Sequence, residues 1–189
     1  MTTLSPDEVL GIVCHVSAST WGNRDVIDEW HRENGWAGIG YHGVITNGVI
    51  KNRYTYDISQ DGLIQPGRDE NVMGAHCKAK GMNTCSIGVC CIGSPGWPPE
   101  GAELAPKEFI QGGKKFLTKR QLLSLVNWLA ENCKQYGLDP LGTFERPGDG
   151  KSVYVISQHS DHDPVNKPFC ASLALPPLRQ MAADRLKEI

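Results

Sequence analysis

The sequence predicts a single α/β domain over residues 1–189, a central mixed β-sheet flanked by helices. Three observations predict it: short apolar, β-branched runs at 10–16, 85–93 and 153–159, hairpin-turn dipeptides within 39–65, and helically spaced segments between these runs. At 189 residues the chain buries one sizeable core without needing staples.

The first run, "LGIVCHV" at 10–16, passes into the Ser/Thr/Gly/Asn cluster "SASTWGN", the pattern of a strand entering a loop, with His15 at its C-terminal end. In "RDVIDEWHRENG" the residues Val26, Ile27 and Trp30 recur at helical spacing, an acid sits early, and Asn34-Gly35 supplies a stop. From 39 to 65 β-branched and aromatic residues alternate around Asn47-Gly48 and Asp61-Gly62, both favoured hairpin turns, which predicts a meander. "CSIGVCCIG" at 85–93 is apolar throughout and predicts a central strand buried on both faces. After a Pro/Gly-rich loop at 94–106, Thr118 and Gln121 form a capping box that opens a helix to Gln135, with Leu122, Leu125, Val126 and Leu129 as its apolar stripe. A last strand at 153–159 again ends on a histidine, His159. The tail "LPPLRQMAADRLKEI" reads as a helix with proline in its first turn.

Composition narrows the function classes. A formal net charge of -2 provides no basic field for nucleic acid or an anionic membrane. Seven cysteines, two of them adjacent, follow no disulfide-scaffold spacing, which fits a reducing compartment. The N-terminus has no basic n-region and no stretch has the apolar length of a membrane span, so neither a signal peptide nor an anchor is expected.

A strand-end histidine is by itself most simply a buried ring bonded to backbone. Chemistry is indicated by the second one, because "QHSDHDPVNKPFC" gathers His159, His162, Lys167 and Cys170 in one loop. Two histidines and one cysteine give zinc three protein ligands and leave a fourth position open, the pattern of a catalytic site.

"IVCHVSAS", "WHRENGWAGIGYHGVI", "DGLIQPGRDE", "GAH", "NTCSIGV" and "QHSD" occur in the order found in the zinc-dependent N-acetylmuramoyl-L-alanine amidases. The chain resembles that family from about 11 to about 172, the amidase-type phage lysozymes most of all. The resemblance implies Zn2+ as cofactor, held by His15, His159 and Cys170. His162 stays open as the alternative to His159, because the spacing to Cys170 is longer than in the phage lysozymes. It further implies Tyr41 and Lys167 as catalytic groups, and His76 and Asn83 as residues lining the substrate groove. Recycling amidases carry a glutamate where this chain has Cys90, which shifts catalytic weight onto Tyr41 and a metal-bound water.

His42 is expected to pack or support, and His31 to be a solvated helix-end residue. Arg68 and Glu70 are as readily loop ion pairs as substrate contacts, and Cys77 with Cys85 lacks any CxxC spacing that would make a second metal site. The expected partner is peptidoglycan, with no nucleic acid and no membrane anchor, and a monomer is expected. An endolysin made in the cytoplasm and released to the wall by a holin fits best. A muropeptide-recycling amidase and a non-catalytic peptidoglycan-binding or regulatory protein are the rivals.

Overall fold

In the computed structural model, which describes residues 2–51 and 55–189, the strand read at the start of the chain is β1 (Gly11–Val16), buried at every position. It lies in a five-stranded mixed sheet with β2 (Gly43–Asn47), β3 (Asp61–Pro66), β4 (Ser86–Cys91) and β7 (Ile156–Gln158), in the order β3-β2-β4-β1-β7. β4 is the central strand, as its unbroken apolar run predicts, and it runs parallel to both β1 and β2. β1 is also parallel to β7, and only β3 runs antiparallel to its neighbour.

Side-chain alternation divides the sheet into two faces. Ile12, Cys14, Val16, Ile45, Ile87, Val89 and Cys91 belong to the main core with Leu122, Leu125, Val126 and Leu129 of α2 (Lys119–Tyr136) and with Leu178 and Ala182 of α4 (Leu175–Leu186). At ~1.5–3 kcal/mol for each fully buried leucine-sized side chain, this layer supplies most of the drive to fold. Val13, His15, Val44 and Cys90 project from the other face, where Val44 and Cys90 cluster with Ile27 of α1 (Arg24–Glu33) and Val13 with Cys77 and Met82. The functional face is therefore the thinner layer.

The predicted caps form. Asn23 Oδ1 accepts from Val26 N at 3.0 Å to start α1, and Thr118 Oγ1 accepts from Gln121 N at 3.0 Å to start α2. The Gln121 side chain, fully buried, also reaches the sheet: its Nε2 donates to Ile45 O at 3.1 Å and to Ile92 O at 2.8 Å. One residue thus caps a helix and ties it to β2 and to the end of β4.

Two expectations are corrected. Asp61-Gly62 opens β3 instead of turning the chain, because the buried Asp61 carboxylate accepts from Thr118 Oγ1 at 2.6 Å and from Tyr56 OH at 2.9 Å. Gly62 is needed there on other grounds: its φ is +79° and a Cβ would sit 2.9 Å from Arg120 O. The meander is consequently one hairpin, β2 to β3, with residues 48–60 between the strands, of which 52–54 lie outside the described residues. The expected strand at 153–159 is two short ones. β6 (Ser152–Tyr154) pairs with β5 (Thr143–Glu145) in a separate hairpin, while β7 joins the main sheet and ends before His159, the first residue of the one-turn α3 (His159–His162).

Candidate active site

Parallel pairing of β1 with β7, in a register that sets Cys14 opposite Gln158, places the next residues, His15 and His159, side by side at the same end of the sheet. This is the carboxyl end of the strands, where open α/β sheets place their ligands. The two imidazole rings are 4.7 Å apart between centroids. The loop after α3 returns Cys170 to the same point. Val16 N donates to Cys170 Sγ at 3.4 Å, Ser160 N donates to Cys170 O at 2.6 Å, and Cys170 Sγ lies 3.7 Å from His15 Nδ1.

These three donors fit a metal ion. One ligand atom from each of His15, His159 and Cys170 lies within 4.8 Å of the other two. Tetrahedral zinc with its usual bond lengths requires a nitrogen-to-sulfur separation of roughly 3.6 Å, which the His15–Cys170 distance already meets. His15 is 1% and His159 9% exposed. Burial, followed by neighbouring histidines, holds His15 well below its usual range, and burial with the Lys167 cation pushes His159 down to about 4, so both rings are neutral at pH 7. Burial pushes the Cys170 thiol up to about 11, and a bound cation is the natural counterweight that would make it a thiolate.

His162 does not join them. Its buried ring receives a hydrogen bond from Arg146 Nη1 at Nδ1 (3.0 Å) and donates from Nε2 to Ser157 Oγ (2.8 Å). Arg146 is itself clamped to Asp149 at 2.6 Å. The alternative ligand is thereby committed to bracing α3 against β7.

Tyr41 stands over the donor cluster, its ring 5.0 Å from that of His15. Its ring packs against the cluster that includes Cys90, which sits beneath the site between His15 on β1 and Val44 on β2. Burial, and then the two nearby thiols of Cys90 and Cys170, pushes the phenol well above its ordinary 10. Tyr41 therefore stays protonated at neutral pH. Lys167, exposed at the rim, lines the groove with it.

The groove has two arms that meet at Trp36, His76, His159 and Lys167. One, of about 350 Å³, continues past Tyr41 to Pro95 and Phe169, and the other, of about 430 Å³, runs to Asn83 and Asp163. Trp36, 51% exposed, and Phe169, 60% exposed, offer aromatic faces at its edges. A concavity of about 560 Å³ elsewhere, around Tyr154, Asp161 and Arg179, is lined by neither histidine nor cysteine.

Of the residues expected to contact substrate, Asn83 lines the second arm while its Oδ1 accepts from His76 N at 3.0 Å and Cys77 N at 2.7 Å. His76 lines both arms and is tied inward as well. Its ring is 6% exposed and both nitrogens are engaged inside the protein, Nδ1 with His15 Nε2 at 3.1 Å and Nε2 with Ser86 O at 3.2 Å. His42 is structural, accepting from Gly88 N at Nδ1 and donating to Val72 O from Nε2. Arg68 holds the loop through backbone carbonyls, Ile39 O and Met73 O, and Glu70 accepts from Gln135. His31 is the residue missed: half-buried, it accepts from Gly40 N at 3.1 Å, and its ring lies tilted against Trp36 (4.7 Å between centroids) and Tyr41 (5.5 Å) in the groove wall. Only the packing of α1 against the strand-entry loop brings it there, and helical spacing carries no sign of that.

Fold and donor set together define the class: an α/β domain able to hold a mononuclear metal at the carboxyl end of its sheet, open to a groove on one side. The chain belongs to the N-acetylmuramoyl-L-alanine amidase family, whose sequence model matches residues 5–168. It is 39% identical over 83 residues to the endolysin of Enterobacteria phage K11, covering 42% of this chain and 44% of that one. It is 31% identical over 155 residues to peptidoglycan recognition protein 1 of Bos indicus, covering 80% and 68%. The aligned part spans less than half the length of the K11 endolysin. Among solved structures, the N-acetylmuramoyl-L-alanine amidase LysC from Clostridium intestinale has the same fold, with a TM-score of 0.59 at 22% identity over 98% of this chain and 91% of that one. Drosophila peptidoglycan-recognition protein LB follows at 0.54 and 19% identity, over 89% and 77%. Among the described residues no helix is long and apolar enough to cross a membrane.

Proposed function

We propose that the chain is a zinc-dependent amidase that hydrolyses the bond between the lactyl group of N-acetylmuramic acid and L-alanine in peptidoglycan, with His15, His159 and Cys170 as metal ligands. One observation carries the reading: in a member of this family, three donors from β1, α3 and the following loop converge within 4.8 Å at the floor of an open groove. His15, His159 and Cys170 would hold the zinc, which would supply a water of pKa lowered towards ~7 and a Lewis acid for the amide carbonyl.

The surrounding residues have the properties this chemistry requires. Tyr41, held protonated by burial, serves as a hydrogen-bond donor to the carbonyl oxygen as negative charge builds on it, and not as a base. Lys167 adds a cation at the mouth of the same groove. Cys90, in the place of the recycling enzymes' glutamate, packs beneath Tyr41 and supplies no carboxylate.

Similarity to phage endolysins supports a lytic role, with synthesis in the cytoplasm and holin-type release to the wall. Comparing rates on intact sacculi and on soluble anhydro-muropeptide separates that role from recycling. The test of the activity is His15→Ala and Cys170→Ala: if these proteins, still folded, release peptides from purified sacculi at the parental rate, the reading is wrong.

A further inference from the structure

We propose that His76 is a positioning residue that fixes His15 in its Nε2–H tautomer and so leaves the Nδ1 lone pair free for the metal. The inference rests on the zinc reading above, and it follows from a chain of hydrogen bonds whose direction is forced from the far end. Ser86 O, a backbone carbonyl, can only accept, so His76 Nε2, 3.2 Å away, carries the proton. A neutral ring has one N–H, so His76 Nδ1 accepts. The group 3.1 Å from it, His15 Nε2, must then be the donor. His15 Nδ1 is left bare, and it is this atom that faces Cys170 Sγ at 3.7 Å.

The surroundings of His76 are shaped to hold this ring. A Cβ on Gly88 would lie 2.5 Å from His76 Cγ, and one on Gly74 would lie 2.4 Å from its Cδ2, so both glycines are the floor on which the imidazole rests. Asn83 Oδ1 clamps the backbone of 76 and 77 from the other side. Metal-binding histidines are oriented in this way by a partner on the second ring nitrogen, and losing such a partner typically costs ~10–100-fold in metal affinity.

The experiment has two arms on the full chain. Long-range 1H–15N correlation spectra of the metal-free parent report the tautomers directly, and both His15 and His76 are expected protonated at Nε2. A His15 signal protonated at Nδ1 overturns the proposal without any variant having to fold. Zinc affinity by chelator competition is then compared for the parent, His76→Leu, His76→Asn and Gly88→Ala. His76→Leu is expected to weaken binding ~10–100-fold. His76→Asn, whose Oδ1 can replace Nδ1 as acceptor, should recover most of that, and Gly88→Ala should weaken binding with every ring nitrogen still present. Folded His76→Leu protein with affinity within about twofold of the parent overturns the positioning role. A parent that binds no zinc overturns the zinc reading itself, and the tautomer spectra still decide the hydrogen-bond chain.

Discussion

His159 and His162 are three residues apart, the first and last residues of the one-turn α3, and the structure gives them opposite roles, so replacing each with alanine should produce opposite signatures. In His162→Ala, Arg146 Nη1 and Ser157 Oγ lose their partner in a region that water does not reach. A buried charge-assisted hydrogen bond is worth about 1.5–3 kcal/mol and a neutral one about 0.5–1.5, but Arg146 keeps Asp149 and the Asp161 carbonyl. The net cost is therefore roughly 2–4 kcal/mol, which lowers the Tm of a chain of this size by roughly 5–15 °C. Zinc stoichiometry should stay at the parental value. His159→Ala should cost the metal-free protein about 1 kcal/mol or less, because its imidazole makes ring contacts but no hydrogen bond among the described residues, while zinc affinity collapses. Urea denaturation of the metal-free proteins and chelator-competition titration read the two effects separately. If His162→Ala loses zinc and His159→Ala keeps it, the ligand assignment is wrong.

Tyr41→Phe should lower kcat ~10²–10³-fold with little change in KM or zinc content, as expected of an oxyanion donor, and steady-state kinetics on a muropeptide would show it. Gln121→Leu should destabilise the fold by roughly 2–4 kcal/mol by leaving Ile92 O unpaired and breaking the cap, and Gln121→Glu should be worse at neutral pH because a carboxylate would face two carbonyls. Equilibrium denaturation distinguishes the two. Metal-free protein should lose stability on acidification: His76, His159 and His162 titrate at about 3, 4 and 4 when folded, but near 6.5 when unfolded. The unfolded chain therefore binds more protons as pH falls from about 6.5, each histidine contributing up to ~1.4 kcal/mol per pH unit until its folded pKa is reached. A flat stability profile from pH 7 to 5 would contradict this.

Much of the architecture is legible in the sequence because local chemistry and tertiary need agree. Thr118 with Gln121 opens α2, and the apolar run at 85–93 becomes the central strand. His15 and His159 were visible as strand-end histidines, and parallel pairing then brought them together. Local chemistry failed where distant partners overrode it. Asp61-Gly62 has the composition of a turn, but Thr118 and Tyr56 draw Asp61 into the fold as the start of β3. His76 carries no periodic signal at all, since its partner His15 is 61 residues away and its floor is made of two glycines that read only as flexible points. The closeness of Cys90 to Tyr41 depends on β2 pairing with β4, which neither strand's sequence specifies.

The most direct test of the central claim is mass spectrometry of the fragments released from purified sacculi by protein as isolated, after chelation, and after zinc is restored. The account predicts free peptides beginning with L-alanine, lost on chelation and regained with zinc. Release of such peptides by protein stripped of metal, or muropeptides cleaved at any other bond, would contradict it.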